Sequence, residues 1–176
     1  PVVSDMDMRD VVIDKVTVNI GVGEAGEKLE KAKTVLKLLT GAEPIVTQAK
    51  KTNREFGIRK GQDIGVKVTL RGEKMDKFLR AALWVKNNRC LSYSFSNQGS
   101  YSFGISDYTD FKGMKYNPEI GIFGMDVVIT FKRRGGYRIS RRRLRRHPIP
   151  VKFRVTRDEI MDFMKKNYGV EIVEVS

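Results

Sequence analysis

One cysteine, one histidine and one tryptophan occur among 176 residues. A single thiol, Cys90, excludes an intrachain disulfide and fits a reducing compartment. Cys90 and His147 cannot build a metal site without several carboxylates, and no such spacing occurs. No apolar run approaches the roughly 20 residues that cross a bilayer. Residues 1–9 contain no basic stretch followed by an apolar core, so they do not read as a secretory signal. Neither a histidine pair nor a carboxylate pair stands at useful spacing. Asp107, Asp110 and His147 have no partners that would make a nucleophile, base and orienting group converge. The absences together predict a cytoplasmic protein with no metal, no other cofactor and no catalytic centre.

Positive charge is what the chain has in excess. Lys and Arg number 34 against 21 Asp and Glu, a formal net charge of +13. Such a surplus implies a polyanionic partner more than any fold, with nucleic acid first and an anionic membrane surface as the rival. With 40% hydrophobic and 31% charged residues, the balance is that of a globular domain. No internal repeat or linker divides it, so the sequence reads as one domain.

Residues 11–20 alternate as a strand, with Val12, Val16, Val18 and Ile20 on one parity and Lys15, Thr17 and Asn19 on the other. Leu29, Ala32, Val35, Leu36 and Leu39 fall at helical spacing, predicting a helix over 27–40 that Gly41 stops. Residues 44–49 form a short strand, and 64–71 another with Lys67, Thr69 and Arg71 outward. A helix over 73–88 buries Met75, Phe78, Leu79, Ala82 and Leu83; Trp84 packs it on the sheet in the simplest reading, with an exposed Trp84 as the alternative. Residues 91–105 alternate about Asn97-Gln-Gly99 as a hairpin, 106–121 are irregular, and 126–131 are a strand. Strand structure resumes at 153–155. Thr156-Arg-Asp-Glu159 is a capping box that opens a last helix, with Ile160, Phe163 and Met164 inward, and a strand over 170–175 ends the chain. This order predicts an α+β fold, helices packed on one face of a largely antiparallel sheet. The other face carries Lys, Thr, Ser and Asn and is free to meet RNA.

Two segments concentrate the charge. From 132 to 157 there are twelve cations: Lys132, Arg133, Arg134, Arg138, Arg141, Arg142, Arg143, Arg145, Arg146, Lys152, Arg154 and Arg157. No acidic residue lies between Asp126 and Asp158 to balance them. Arginine predominates, which favours bidentate phosphate contacts and stacking on bases, and Tyr137 is placed to stack on an unpaired base. A solvated face or a targeting signal is the bland alternative. The second segment, 50–62, is a protruding loop with Lys50, Lys51, Arg54, Arg59 and Lys60 around Phe56, with a short turn of helix within it. Gly21-Val-Gly-Glu-Ala-Gly26 matches a dinucleotide fingerprint. The strand before it alternates, however, and Glu43 falls before the second strand rather than at its end, so a tight turn with close backbone approach is the better reading. His147 reads as structural or RNA-contacting, and Cys90 as a small buried hydrophobe.

Several long pieces then match a known family in the right order: Lys15-Val-Thr-Val-Asn-Ile-Gly-Val-Gly-Glu-Ala25, Leu39-Thr-Gly41, Pro44-Ile-Val-Thr-Gln-Ala-Lys50, Gly65-Val-Lys-Val-Thr-Leu-Arg-Gly72, Gly99-Ser-Tyr-Ser-Phe-Gly-Ile105 and Gly124-Met-Asp126. Over residues 8–174 the chain resembles the universal 5S rRNA-binding protein of the large ribosomal subunit. The arginine-rich insertion at 133–150 resembles the archaeal and eukaryotic form. The resemblance implies a structural constituent of the central protuberance, a monomer within the ribosome beside other large-subunit proteins. It implies contact with 5S rRNA through Lys15, Thr17, Asn19, Gly21, Gly23 and Gly26, and with an upper stem of the large rRNA. By the same resemblance the 50–62 loop, through Lys51, Arg54, Arg59 and Lys60, reaches P-site tRNA. The sheet cations and the arginine insertion are expected on ribosomal RNA. An RNA-modifying or RNA-cleaving enzyme is the alternative of a different class.

Overall fold

The computed structural model describes residues 7–135 and 137–174, with Tyr137 described by its backbone alone. The chain forms two compact units, one of residues 16–87 and 103–128, the other of residues up to 15, 88–102 and from 129 onward. In chain order the elements are β1 (Val11–Gly21), α1 (Glu27–Thr40), β2 (Ile45–Gln48), β3 (Asp63–Leu70), α2 (Glu73–Val85), β4 (Arg89–Leu91), β5 (Phe95–Ser96), β6 (Ser100–Ile105), β7 (Met125–Arg133), α3 (Tyr137–Arg141), α4 (Arg157–Tyr168) and β8 (Glu171–Val173). Six strands form a sheet in the order β2-β3-β1-β7-β6-β5, and β4 pairs with β8 separately. The α+β class with a largely antiparallel sheet stands as expected.

In the first unit β1 runs antiparallel to β3, with Val16 opposite Leu70, Val18 opposite Val68 and Ile20 opposite Val66. All six are buried, so the period-2 alternation in both strands is the cause of their shared register. α1 packs on β3 through its stripe of Leu29, Ala32, Val35 and Leu36. Burying each of the larger three, Leu29, Val35 and Leu36, is worth about 1.5–3 kcal/mol. Gly41 ends the helix in the left-handed conformation, and its N–H donates to the Lys37 carbonyl at 2.9 Å. α2 buries Phe78, Leu79, Ala82 and Leu83, and Phe78 lies 5.7 Å, ring to ring, from Phe111. It stops at Val85, three residues before the predicted end. Asn87 and Asn88 adopt φ of 53° and 54°, a left-handed turn that asparagine tolerates better than most residues.

The second unit departs more from expectation. The hairpin predicted over 91–105 is shorter: β5 pairs with β6 through Phe95 opposite Tyr101 and Ser96 opposite Ser100, and a 3-10 turn occupies Ser92–Ser94. β4 runs parallel to β8, with Cys90 opposite Ile172, a partner that no local pattern announces. Phe95 stacks on Tyr101 at 4.3 Å. Cys90 is fully buried and hydrogen-bonds Tyr101; burial pushes its thiol up from the usual range, the Tyr101 contact acting the other way. It is the small core residue expected of it. Residues 153–155 are not a strand, because Val151–Phe153 form a 3-10 turn directly after Pro150. α4 opens with the expected capping box, the Glu159 carboxylate accepting the Thr156 N–H at 2.9 Å, and Gly169 closes it in the left-handed conformation. Ile160 and Met164 are fully buried; Phe163 meets Phe131 edge-on at 5.7 Å.

Candidate nucleic-acid interface

The loop at 50–62 is a built structure, not a slack connection. At its base the Ala49 N–H donates to the Gln62 carbonyl at 2.8 Å, and the Gly61 N–H to the Ala49 carbonyl at 2.9 Å. Further out, Asn53 and Ile58 exchange both backbone hydrogen bonds, at 2.8 and 2.9 Å. Where a turn of helix was expected there is thus a miniature antiparallel bridge. The Gly57 N–H returns to the Arg54 carbonyl at 3.2 Å, with Gly57 at a φ of 64°. The Asn53 side chain accepts the Glu55 N–H and Thr52 Oγ1 accepts the Lys60 N–H. The outcome is a rigid finger with Phe56 at its tip, 73% exposed. Lys51, Arg54, Arg59 and Lys60 are all exposed along it and form no ion pair among the described residues. A cation held on fixed backbone loses less entropy on meeting a phosphate than one on a flexible chain.

On the polar face of the sheet, Thr17 lies opposite Thr69 and Asn19 opposite Lys67. Lys67, Thr69 and Arg71 are exposed, Thr17 and Asn19 half-buried. Lys15, also half-buried, has the same parity on β1. Gly21, Gly23 and Gly26 follow, and the turn's backbone does approach another: the Val22 and Gly23 N–H groups both donate to the Ile64 carbonyl, at 2.9 and 2.8 Å. A Cβ at any of the three would meet nothing within 4 Å. Gly23 and Gly26 are needed instead for their φ of 81° and 116°, which L side chains rarely adopt. The position with no room is Gly65, where a Cβ would lie 2.8 Å from the Ile20 carbonyl oxygen.

The arginine-rich segment divides into engaged and outward cations. Arg133 is a clamp. Its Nη2 meets both carboxylate oxygens of Glu159 at 2.7 and 2.9 Å, its Nη1 donates to the Arg9 carbonyl at 2.8 Å, and its Nε to the Phe153 carbonyl at 3.0 Å. Lys132 pairs with Asp14 at 2.7 Å, and Arg141 approaches the same carboxylate at 3.8 Å. Asp14 is only 10% exposed. The expectation that nothing acidic balances the segment is therefore corrected for these three. Their counter-charges come from β1 and α4, far away in sequence. Burial favours the neutral form of Glu159, but the Thr156 N–H and the Arg133 guanidinium prevail and hold its carboxyl below the ordinary range. Arg134, Arg138, Arg142, Arg143, Arg145, Arg146 and His147 are exposed. Among them Arg138, Arg143, Arg145 and Arg146 form no ion pair among the described residues. The Tyr137 side chain lies outside the described residues. Trp84 is 55% exposed, the alternative to its packing α2 on the sheet.

Among the described residues no group of three or more His, Cys, Asp and Glu could hold a metal ion, and no helix is long and apolar enough to cross a membrane. Exposed arginine and lysine on fixed backbone, together with a polar sheet face, define an α+β nucleic-acid-binding protein. Residues 7–59 match the family model described as ribosomal protein L5, and residues 63–163 match the model for the C-terminus of the same ribosomal family. The large ribosomal subunit protein uL5 of Thermoplasma acidophilum is 57% identical over 166 residues, 94% of this chain and 98% of its own length. That of Picrophilus torridus is 55% identical over 94% of each chain, and that of Sulfurisphaera tokodaii 52% identical over 95% of this chain and 94% of its own. The chain belongs to the uL5 family of ribosomal proteins.

Proposed function

We propose that this chain is a structural constituent of the large ribosomal subunit, a non-enzymatic scaffold that joins 5S rRNA to large-subunit rRNA. Membership of a family whose named relatives are large-subunit proteins supports the placement. The observation that carries the mechanism is the set of exposed, ion-pair-free cations on hydrogen-bonded backbone. Such groups neutralise phosphates where RNA segments meet, with no covalent step. Recognition rests on RNA shape and unpaired bases, because the deep A-form major groove is closed to side chains.

Lys15, Thr17, Asn19, Lys67, Thr69, Arg71 and the Gly21–Gly26 turn meet ribosomal RNA in this reading, as do Lys132, Arg133, Arg134, Tyr137, Arg138, Arg141, Arg142, Arg143, Arg145 and Arg146. Lys132, Arg133 and Arg141 do so while also bound within the protein. The 50–62 finger reaches P-site tRNA through Lys51, Arg54, Arg59 and Lys60, and other large-subunit proteins adjoin the monomer. Replacing those four finger cations with glutamine tests the division of labour. 5S rRNA affinity in a filter-binding assay should stay within about twofold, while P-site tRNA dissociates faster from reconstituted subunits. Equal loss of 5S rRNA affinity would overturn the assignment. With about six phosphates contacted, RNA affinity should fall by two orders of magnitude or more between low and moderate salt.

A further inference from the structure

The most cationic stretch of the chain surrounds a cavity with almost no polar surface. It has a volume of about 280 Å³, and its wall is made by Met8, Ile139, Ile149, Pro150 and Phe153 with Gly135, Arg9 and Arg133 completing it. We propose that this cavity takes one unpaired nucleobase of the bound RNA, stacked against the Phe153 ring. The inference rests on the RNA-binding reading above and adds a base-recognition subsite to it.

Three observations point to a built site. The first is size: 280 Å³ lies just under the ~300 Å³ at which clefts begin to hold small organic ligands. The second is rigidity. The Arg133 guanidinium donates to the Arg9 carbonyl on one wall and to the Phe153 carbonyl on the other, while Glu159 neutralises it from behind. The Phe153 N–H is held by the Pro150 carbonyl at 3.0 Å. The Lys152 ammonium sits 5.4 Å from the Phe153 ring centroid, and Phe153 is 48% exposed. The third is charge. Arg138, Arg142, Arg143, Arg145 and Arg146, exposed in the same insertion, supply the phosphate partners that a flipped nucleotide brings with it. An apolar side chain from a protein would bring no such counter-charge. A base has an apolar face for the ring and leaves its ribose and phosphate at the arginines, so it satisfies both parts of the surface. Base–aromatic stacking is worth about 1–3 kcal/mol, or roughly 5- to 150-fold in affinity.

The test uses the full chain with transcribed 5S rRNA and with transcribed large-subunit rRNA. Irradiation at 254 nm followed by mass spectrometry should place a nucleotide adduct on Phe153 or Met8 with one of the two RNAs. Phe153→Leu keeps the apolar wall but loses the ring, and should weaken that RNA at least fivefold. Phe153→Trp should bind as well as the parent or better, and Ile139→Trp, which fills the cavity from an exposed helix position, should weaken binding like Phe153→Leu. Thermal unfolding of each variant confirms that the fold is kept. Adducts confined to other segments, with RNA affinity unchanged in Phe153→Leu and Ile139→Trp, would overturn the subsite while leaving the RNA-binding reading intact. If those variants lost only assembly with neighbouring proteins, the cavity would be a protein-docking site and the proposal would be wrong. Failure of the parent chain to bind either RNA would overturn the function itself.

Discussion

Three glycines on the same stretch of sheet make opposite demands, and alanine separates them. Gly65 sits in β3 between β2 and β1, opposite Thr47 on one side and Gly21 on the other. An added Cβ would stand 2.8 Å from the Ile20 carbonyl oxygen and 3.0 Å from Thr47 Oγ1. Ordinary contact begins at 3.4 Å, so the Ile20 backbone would have to retreat by more than half an ångström. Ile20 is buried, and its carbonyl cannot swing aside as a flexible side chain could. Overpacking of this kind costs about 2–3 kcal/mol. At about 2–4 °C per kcal/mol for a chain of this length, that lowers Tm by about 4–12 °C. Thr47→Ala in the Gly65→Ala background should recover only a minor part, since the closer clash is with backbone.

Gly21→Ala should behave differently, because the new methyl meets nothing within 4 Å and the residue is not in the left-handed region. Its effect should stay within about 0.5 kcal/mol. Gly23→Ala falls between the two: its Cβ also meets open space, but a φ of 81° costs a side chain about 1–2 kcal/mol. Urea midpoints, with slopes compared to confirm two-state behaviour, should therefore rank Gly21→Ala nearest the parent, then Gly23→Ala, then Gly65→Ala. A Gly65→Ala protein as stable as the parent, or a Gly21→Ala protein as damaged as Gly65→Ala, would refute the steric argument.

Three further outcomes follow from the root of the arginine segment. Thr156→Ala removes the cap of α4 and should cost about 1 kcal/mol in urea unfolding. Arg133→Gln takes the guanidinium from the Glu159 carboxylate, which keeps the Thr156 N–H, and from the Arg9 and Phe153 carbonyls, and should cost about 2–3 kcal/mol; limited proteolysis should cut 134–156 faster than in the parent. Glu159 gives the pH dependence. Its folded carboxyl is held below the ordinary value of 4.5, so the unfolded chain binds the proton more readily. The resulting stability is present above that value and is lost as pH falls through the lower, folded one. Glu159→Gln should flatten this acid limb of a pH–stability curve, and an unchanged limb would show that the pair contributes nothing.

What was legible in the sequence is what short-range periodicity encodes. The inward parity of Val16, Val18 and Ile20 is the buried face observed in β1, and the α1 stripe with its Gly41 stop gave the helix its observed bounds. The errors are non-local. Leu91, Tyr93 and Phe95 alternate like a strand, but Leu91 pairs with Val173, more than 80 residues away, and the chain bends at Ser92–Ser94 to reach Phe95. Trp84 follows Leu83 by one residue, a rotation of roughly 100° around a helix, so it leaves the buried face that Phe78, Leu79, Ala82 and Leu83 define.

The same distinction governs the charge. A run of twelve cations without a neighbouring acid reads as a uniform polyanion-binding surface, because sequence shows only what is adjacent. Folding brings Asp14 to Lys132 and Arg141, and Glu159 to Arg133, and the Arg157 guanidinium turns to the Ser92 carbonyl. These cations hold the segment's root, and the ones beyond it face outward. Removing the two acids, Asp14 and Glu159, would leave more unpaired positive charge on a less ordered segment, which raises non-specific attraction while lowering the pre-organisation that specific binding needs. The acids at 14 and 159 thus convert part of a self-repelling run into a scaffold for the rest.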